Sequence, residues 1–392
     1  MRAAQGSGAR QVLVIGAGAA GLSAAGALTR RGIDVLVLER DADVGGSWAR
    51  RYDRLRLHTV RRLSGLAHVP IPRRYPRYLS RADFVEYLQD VAARCGAPIV
   101  HRTHVARIEA PREGWLWTVR SNDGVERRAA VVVVATGQYR DPVVPDWPGR
   151  PAFSGRLTHS VEYTNGAACA GQRVLVVGAG NSGAEIATDL AASGVRLVAL
   201  SVRTPPPIVP RDPFGVPVQR TSLLLSALPA AAADRIGRLT ARLAIGDLTR
   251  YGMPQHRFNP YTTKRVPLID VGFVDALKRG RIQIRPAVER LTASGAEFAD
   301  GLRESFDAII AATGFSTGLE SLLDVPEVLD ERDEPRGISG EPTTHPGLYF
   351  VGFTHSVRGH LLEANRASRR LARNVARYLA VIADGKESHA TR

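Results

Sequence analysis

One strand–turn–helix–strand unit occurs twice in this chain, and few architectures accommodate such a repeat. QVLVIGAGAAGLSAAGALTRRGIDVLVLER begins at Gln11, and RVLVVGAGNSGAEIATDLAASGVRLVALSV begins at Arg173. Gly16, Gly18, Gly21 and Gly32 recur at one constant offset as Gly178, Gly180, Gly183 and Gly194. Each unit is an apolar strand, a GxGxxG turn, an alanine-rich helix, a glycine stop and a second apolar strand. The first glycine makes the tight turn, the second lets backbone approach a pyrophosphate, and the third packs helix against strand. The free N–H groups opening the helix then face the phosphates, here those around Ala19 and Ala20 and around Asn181 and Ser182.

The ends of the second strands separate the two sites. Glu39 closes the first, where a carboxylate accepts hydrogen bonds from a ribose 2′-hydroxyl. The corresponding residue in the second unit is Ser201, with Arg203 two positions on, a cation suited to a 2′-phosphate. The first site therefore suits an adenosine with a free ribose, and the second suits NADPH.

The remaining sequence repeats the pattern. AAVVVVATG (129–137) and DAIIAATG (307–314) are apolar strands ending in Ala-Thr-Gly, which places Ala135, Thr136, Gly137, Thr313 and Gly314 beside the nucleotide turns. Hairpin sequences with Asn-Asp-Gly and Asp-Gly turns precede them. GLYFVGF near the C-terminus reads as a buried strand. The one-sided apolar pattern after it, from Gly359 and His360, reads as a helix; related folds imply that its start faces a flavin edge. Residues 204–270 break the pattern: a proline-rich extended run, two helices at 222–228 and 232–249, and a loop. Such an insert suits a substrate wall or a dimer contact. FSGRLTHSVEY (153–163) lacks strand alternation and helix periodicity, and reads as a polar hinge between the nucleotide units.

The expected fold is α/β, with two Rossmann-like domains for FAD and NADPH and the second inserted in the first. The expected boundaries are 10–165 and 305–385 for the FAD domain and 166–304 for the NADPH domain. The net charge is +15 with only three lysines among 53 basic residues. This arginine skew comes without a nucleic-acid-binding motif, so anionic cofactors account for it and no nucleic-acid partner is expected. No apolar run reaches the roughly 18 residues of a membrane span, and the tail MRAAQGSGAR has no signal-peptide core. A cytoplasmic protein without a membrane partner is expected. Cys95 and Cys169 form no CxxC, which argues against disulfide-reductase chemistry, and no metal-ligand cluster stands out.

Taken together these motifs resemble the flavin-containing monooxygenases, the single-component class B enzymes. Phe153, Gly155, His159 and Tyr163 match that family's FxGxxxHxxx(Y/F) linking motif; Gly45, Gly46 and Trp48 match its GGxW; Ala312 to Phe315 match its ATG(F/Y). The resemblance spans about residues 10–380. It is closest to the compact YUCCA-type branch, through YDRLRLH (52–58), YPRYLSRADFVEYL (75–88), GNSGAEIATDL (180–190) and VGFTHS (351–356). The proline-rich wall departs from that branch, so the substrate stays open.

The resemblance implies FAD, NADPH and O2 as cofactors and co-substrate. It implies a flavin hydroperoxide that passes one oxygen atom to a small organic substrate: a keto acid, an amine or a sulfur compound. Baeyer–Villiger oxidation is the alternative, though those enzymes normally place tryptophan where this chain has Tyr163; a non-catalytic redox sensor is another. The flavin carries the chemistry, so no single catalytic residue is assigned. Gly46 and Trp48 are expected along the path to the flavin, Arg56 and His58 near the flavin and an anionic substrate, and His159 as a coupling residue. A homodimer is compatible with this reading.

Overall fold

A computed structural model describes residues 10–66 and 68–390; most of the N-terminal tail read above as free of a signal peptide lies outside these residues. Two separate sheets carry the two nucleotide units. In the first, Val35–Leu38, Arg10–Ile15, Glu126–Val134 and Leu348–Phe350 run parallel, and Ile99–Val100 extends the edge beyond Val35–Leu38. Glu126–Val134 serves two partners. Its first half pairs antiparallel with Trp117–Ser121, and its second half lies parallel between Arg10–Ile15 and Leu348–Phe350. The valine run explains this, because strands buried on both faces read as continuous apolar sequence. Val131 and Val133 join the core under helix Ala19–Thr29, whereas Val132 and Val134 face the opposite core around Trp117 and Phe350. The C-terminal helix His360–Ala390 packs Leu361, Ala364, Leu371 and Val375 into the first of these cores.

The second sheet is parallel, in the order Gln283–Arg285, Leu197–Ser201, Arg173–Val177, Ala308–Ala311, Arg156–His159. Its outermost member corrects the reading of 153–163 as a non-strand hinge. Arg156–His159 is an edge strand in register with Ala308–Ala311. An edge strand of four residues needs no alternation, because its hydrogen bonds to one neighbour hold it. Gly155 precedes it for a steric reason: a Cβ there would lie 2.7 Å from the Asp307 carbonyl oxygen.

Residues 156–159 and 308–311 both belong to the second sheet. The chain crosses between sheets at Asp141–Pro142 and Phe315–Ser316, which pair antiparallel as a two-stranded ribbon.

The insert 204–270 leaves and returns through a neck, Ile208–Pro210 parallel to Leu268–Asp270. Between them stand helices Val218–Leu225 and Ala230–Ile245, both beginning four or fewer residues earlier than expected because Pro217 and Pro229 occupy their N-caps. The buried Asp234 carboxylate ties the second helix to the returning loop. It accepts from the backbone N–H of Tyr261 at 2.9 Å and of Thr262 at 3.1 Å, and from the Thr262 hydroxyl at 2.6 Å.

Candidate active site

The repeat holds at atomic level. Gly16 and Gly178 have φ of 104° and 110°, a region open to glycine. A Cβ on Gly21 would lie 1.8 Å from the Gly16 carbonyl oxygen, and one on Gly183 would lie 1.9 Å from that of Gly178. The alanines of the two ATG motifs seat these turns: the hypothetical Gly16 Cβ meets the Ala135 carbonyl, and the Gly178 Cβ meets that of Ala312. Gly18 and Gly180 differ from the others. Nothing lies within 4 Å of a Cβ built on either, so their backbones border open space at the start of a helix. That is the cradle a pyrophosphate requires.

Both cradles open on one cavity of about 760 Å³. Gly16, Gly18, Ala19, Ala20, Glu39, Gly46, Trp48, His58, Ala135, Thr136 and Gly137 line it from the first domain. Gly180, Asn181, Ser182 and Gly314 line it from the second. Gly21, Gly178 and Gly183 lie behind the turns in their packing roles. Leu225, Phe258 and Val266 of the insert continue the wall. Among the described residues, three buried polar atoms of the cavity lining have no partner: Thr136 Oγ1, Gln138 Oε1 and His360 Nδ1. Such atoms are costly unless a ligand satisfies them. With the open cradles, they fit a dinucleotide lying from Glu39 to the start of the C-terminal helix.

Several expected residues have more specific placements. The Glu39 carboxylate accepts from the Ala17 N–H at 2.6 Å and the Asp41 N–H at 2.9 Å, which fixes it at the cavity rim. Ser201 donates to the Pro286 carbonyl at 2.7 Å and is buried, so it stands back from any 2′-phosphate; Arg203 is exposed beyond it. The Asn181 side chain is taken up by the insert, donating to the Pro267 carbonyl at 3.2 Å and accepting from the Ile269 N–H at 2.8 Å. Trp48 meets Phe84 edge-on, with ring centroids 4.5 Å apart, while also lining the cavity.

The structure separates Arg56 from His58. Arg56 is exposed and off the cavity, whereas its neighbours Leu55 and Leu57 line it. Arg51, which the sequence reading passed over, lines the cavity instead. His58 lines it too, and its Nε2 lies 2.7 Å from Oε1 of the buried Glu185 on the second domain's first helix.

His159 is buried and fixed from both ring nitrogens. Nδ1 accepts from the Val161 N–H at 3.2 Å, so Nε2 carries the hydrogen and donates to the Gly314 carbonyl at 3.0 Å. Its ring stands edge-on to Phe315 at 4.8 Å. Burial lowers its pKa below the usual 6.5 and keeps it neutral. The Thr313 hydroxyl binds the Val143 carbonyl of the crossing ribbon. His159 and Thr313 therefore hold the second ATG loop, and neither lines the cavity. The Tyr163 hydroxyl donates to Asp189 at 2.6 Å within the second domain.

Sequence reasoning missed Gln219. From the insert's first helix, its Oε1 accepts from the Val60 N–H and its Nε2 donates to the Arg358 carbonyl, both at 2.8 Å. It pins the insert to both segments of the first domain. No motif marks it; only its place at the start of an amphipathic helix sets it apart.

Two dinucleotide cradles on one cavity, each at the end of parallel-paired strands, define a flavoprotein oxidoreductase with a flavin site and a nicotinamide site. Comparisons refine the class. The pyridine nucleotide-disulphide oxidoreductase family model matches residues 13–207. Indole-3-pyruvate monooxygenase YUCCA1 of Oryza sativa subsp. japonica is 37% identical over 359 residues, 87% of this chain and 86% of that protein. Indole-3-pyruvate monooxygenase YUCCA6 of Arabidopsis thaliana is 34% identical over 372 residues, 90% of this chain and 88% of that one. The structure of a flavin-containing monooxygenase from Stenotrophomonas maltophilia superposes with a TM-score of 0.71 at 26% identity, covering 94% and 98% of the two chains. A steroid monooxygenase bound to NADP shares the fold at TM-score 0.73 and 21% identity.

The chain belongs to the YUCCA-type flavin-containing monooxygenases. It is a flavin-dependent monooxygenase, an oxidoreductase that uses FAD, NADPH and O2 on a small organic substrate. Cys95 and Cys169 are free and buried, Cys169 within the core of the second sheet. Among the described residues no helix is long and apolar enough to cross a membrane.

Proposed function

We propose that this monooxygenase oxidatively decarboxylates an aryl α-keto acid. The observation that carries the reading is the likeness to relatives named indole-3-pyruvate monooxygenases along almost the whole chain. The apolar continuation of the cavity past the nucleotide cradles, through Leu225, Phe258 and Val266, supports an aryl group there. The balanced reaction is keto acid, NADPH, O2 and a proton giving the shortened carboxylic acid, CO2, NADP⁺ and water.

In this reading Gly16, Gly18, Ala19, Ala20 and Gly21 hold the FAD pyrophosphate turn and Glu39 its ribose. Gly46, Trp48, Ala135, Thr136 and Gly137 flank the same cofactor, with Gly359 and His360 near the ring. Gly178, Gly180, Ser182 and Gly183 form the NADPH turn through their backbone, Arg203 meets the 2′-phosphate, and Thr313 and Gly314 shape the adjoining loop. Bound flavin accepts hydride from NADPH and makes one oxygen atom of O2 available for transfer. The protein's part is to hold both cofactors in one cavity, to exclude water through the insert, and to keep His159 neutral. His159 and Gln219 act as positioning residues. We further propose that the enzyme works in the cytoplasm, as a homodimer formed through the exposed apolar face of Leu224, Leu239 and Leu243 on the insert; sedimentation at micromolar concentration tests the pairing.

The test of the substrate reading is a panel of aryl keto acids, amines, sulfides and ketones, scored by product formed per NADPH consumed. Near-stoichiometric product is expected from an aryl keto acid. Coupled oxidation confined to ketones would favour the Baeyer–Villiger reading, and coupling confined to amines or sulfides would overturn the keto-acid assignment.

A further inference from the structure

Arg51 stands apart from the other cations of its neighbourhood. Arg50 pairs with Asp41 at 2.9 Å, Arg81 with Asp53 at 3.1 Å, and Arg140 with the Gly318 carbonyl at 3.1 Å. Asp53 is further engaged by Asn165 at 2.8 Å, and Glu185 by His58. Among the described residues, the Arg51 guanidinium has no hydrogen-bond or ion-pair partner. It is half-buried, lines the cavity, and lies 5.1 Å from the centroid of the Phe315 ring. Tyr139 meets the same ring edge-on at 5.8 Å. The backbone of Arg51 is fixed, its N–H bonded to Trp48 and its carbonyl to the Arg81 guanidinium. A stacked cation on a fixed backbone holds its donors ready for a planar oxyanion.

The charges around Arg51 do not offset its burial. Desolvation is the largest influence on it and lowers its pKa, and no carboxylate is among the groups acting on it. Leaving a cation half-buried without a counter-ion is costly, and the cost is met when a ligand brings the anion. A merely structural arginine would direct its donors at a carbonyl or carboxylate, as Arg140 and Arg81 do.

We propose that Arg51 is the oxyanion receptor of the cavity, pairing its guanidinium with a carboxylate or phosphate carried by a bound ligand. Two ligands of the proposed reaction bring such a group: the keto-acid substrate its carboxylate, and the nicotinamide dinucleotide its phosphates. The inference rests on the proposed function only for the first of these. The place beside Phe315, next to the loop that seats the second nucleotide turn, is consistent with both.

The experiment measures equilibrium binding to the flavin-loaded protein, without turnover. NADP⁺ affinity is read by calorimetry. Affinity for an aryl α-keto acid and for its neutral methyl ester is read from the flavin absorbance change. In Arg51→Gln, a loss of about ten- to a hundred-fold for NADP⁺ alone assigns the phosphate. The same loss for the keto acid, with the ester unaffected, assigns the carboxylate and removes the wild-type preference for acid over ester. If the wild type binds neither acid nor ester, the keto-acid function fails while the NADP⁺ arm still tests Arg51. Unchanged affinity for both anions in a flavin-loaded variant overturns the proposal. Arg51→Lys serves where the Gln variant does not retain flavin: it keeps the charge but not the fork, and should weaken the same ligand several-fold. Unchanged binding of both anions in that variant overturns the proposal equally.

Discussion

His58 and Glu185 meet across the two nucleotide domains, with 2.7 Å between Nε2 and Oε1. One comes from the loop that borders the flavin path and the other from the first turns of the helix that opens the nicotinamide site. Glu185 is buried, whereas His58 keeps some solvent contact. Removing the carboxylate leaves a polar ring facing a cavity edge, at a cost of about 1–3 kcal/mol. Glu185→Ala should therefore lower the Tm of the flavin-loaded enzyme by a few degrees, and Glu185→Gln should recover most of it. An unchanged Tm in both variants would show that the pair does not hold the junction.

The third glycine of each turn is a packing residue, and the two should fail separately. Alanine at Gly183 would press a Cβ to 1.9 Å of the Gly178 carbonyl oxygen, and alanine at Gly21 would do the same in the first turn. Gly183→Ala is expected to keep one flavin per chain while NADP⁺ affinity falls at least about ten-fold. Gly21→Ala is expected to purify with little flavin. Flavin absorbance and NADP⁺ titration read the two outcomes; flavin loss in Gly183→Ala alone would reverse the assignment of the domains.

Arg203 is exposed just past the strand that ends in Ser201. If it meets the 2′-phosphate, Arg203→Ala should raise the KM for NADPH by about ten-fold or more and leave the KM for NADH nearly unchanged. Equal changes for the two nucleotides would place the phosphate elsewhere.

His159 carries a pH signature. Burial depresses its folded pKa below 6.5, the value expected for the unfolded chain. The unfolded ring takes a proton more readily, so its contribution to stability is full above 6.5 and is lost as pH falls toward the folded pKa. His159→Gln, which keeps an amide able to donate to the Gly314 carbonyl, should lose less Tm than the wild type between pH 6.5 and about 5. His159→Ala should consume NADPH with less product while still binding both cofactors. Parallel pH curves for wild type and the glutamine variant would contradict the neutral, buried assignment.

The glycines at both turns were legible because each meets a steric demand that only one residue type satisfies. The apolar ATG strands were legible because burial on both faces leaves no polar position. Arg51 and Arg56 were not distinguishable by composition: the stretch 50–62 is rich in arginine, and which of them faces the cavity depends on the turn after Gly46–Ala49 and on the extended backbone that follows. Arg156–His159 escaped recognition because an edge strand is stabilised by backbone pairing with a segment some 150 positions away, which leaves no local pattern. The tie of the Asn181 amide to the insert was not legible, because its partners lie far along the chain. Gln219 was invisible for the same reason.

Two cofactors act together in one cavity to place one oxygen atom on a small substrate. The most direct test is a reaction of the flavin-loaded enzyme with NADPH and an aryl α-keto acid under isotopically labelled O2. The account predicts rapid bleaching of the flavin by NADPH, one labelled oxygen atom in the carboxylic acid product, and one NADPH consumed for each product formed. A flavin that NADPH does not reduce, or a product without label, would contradict it.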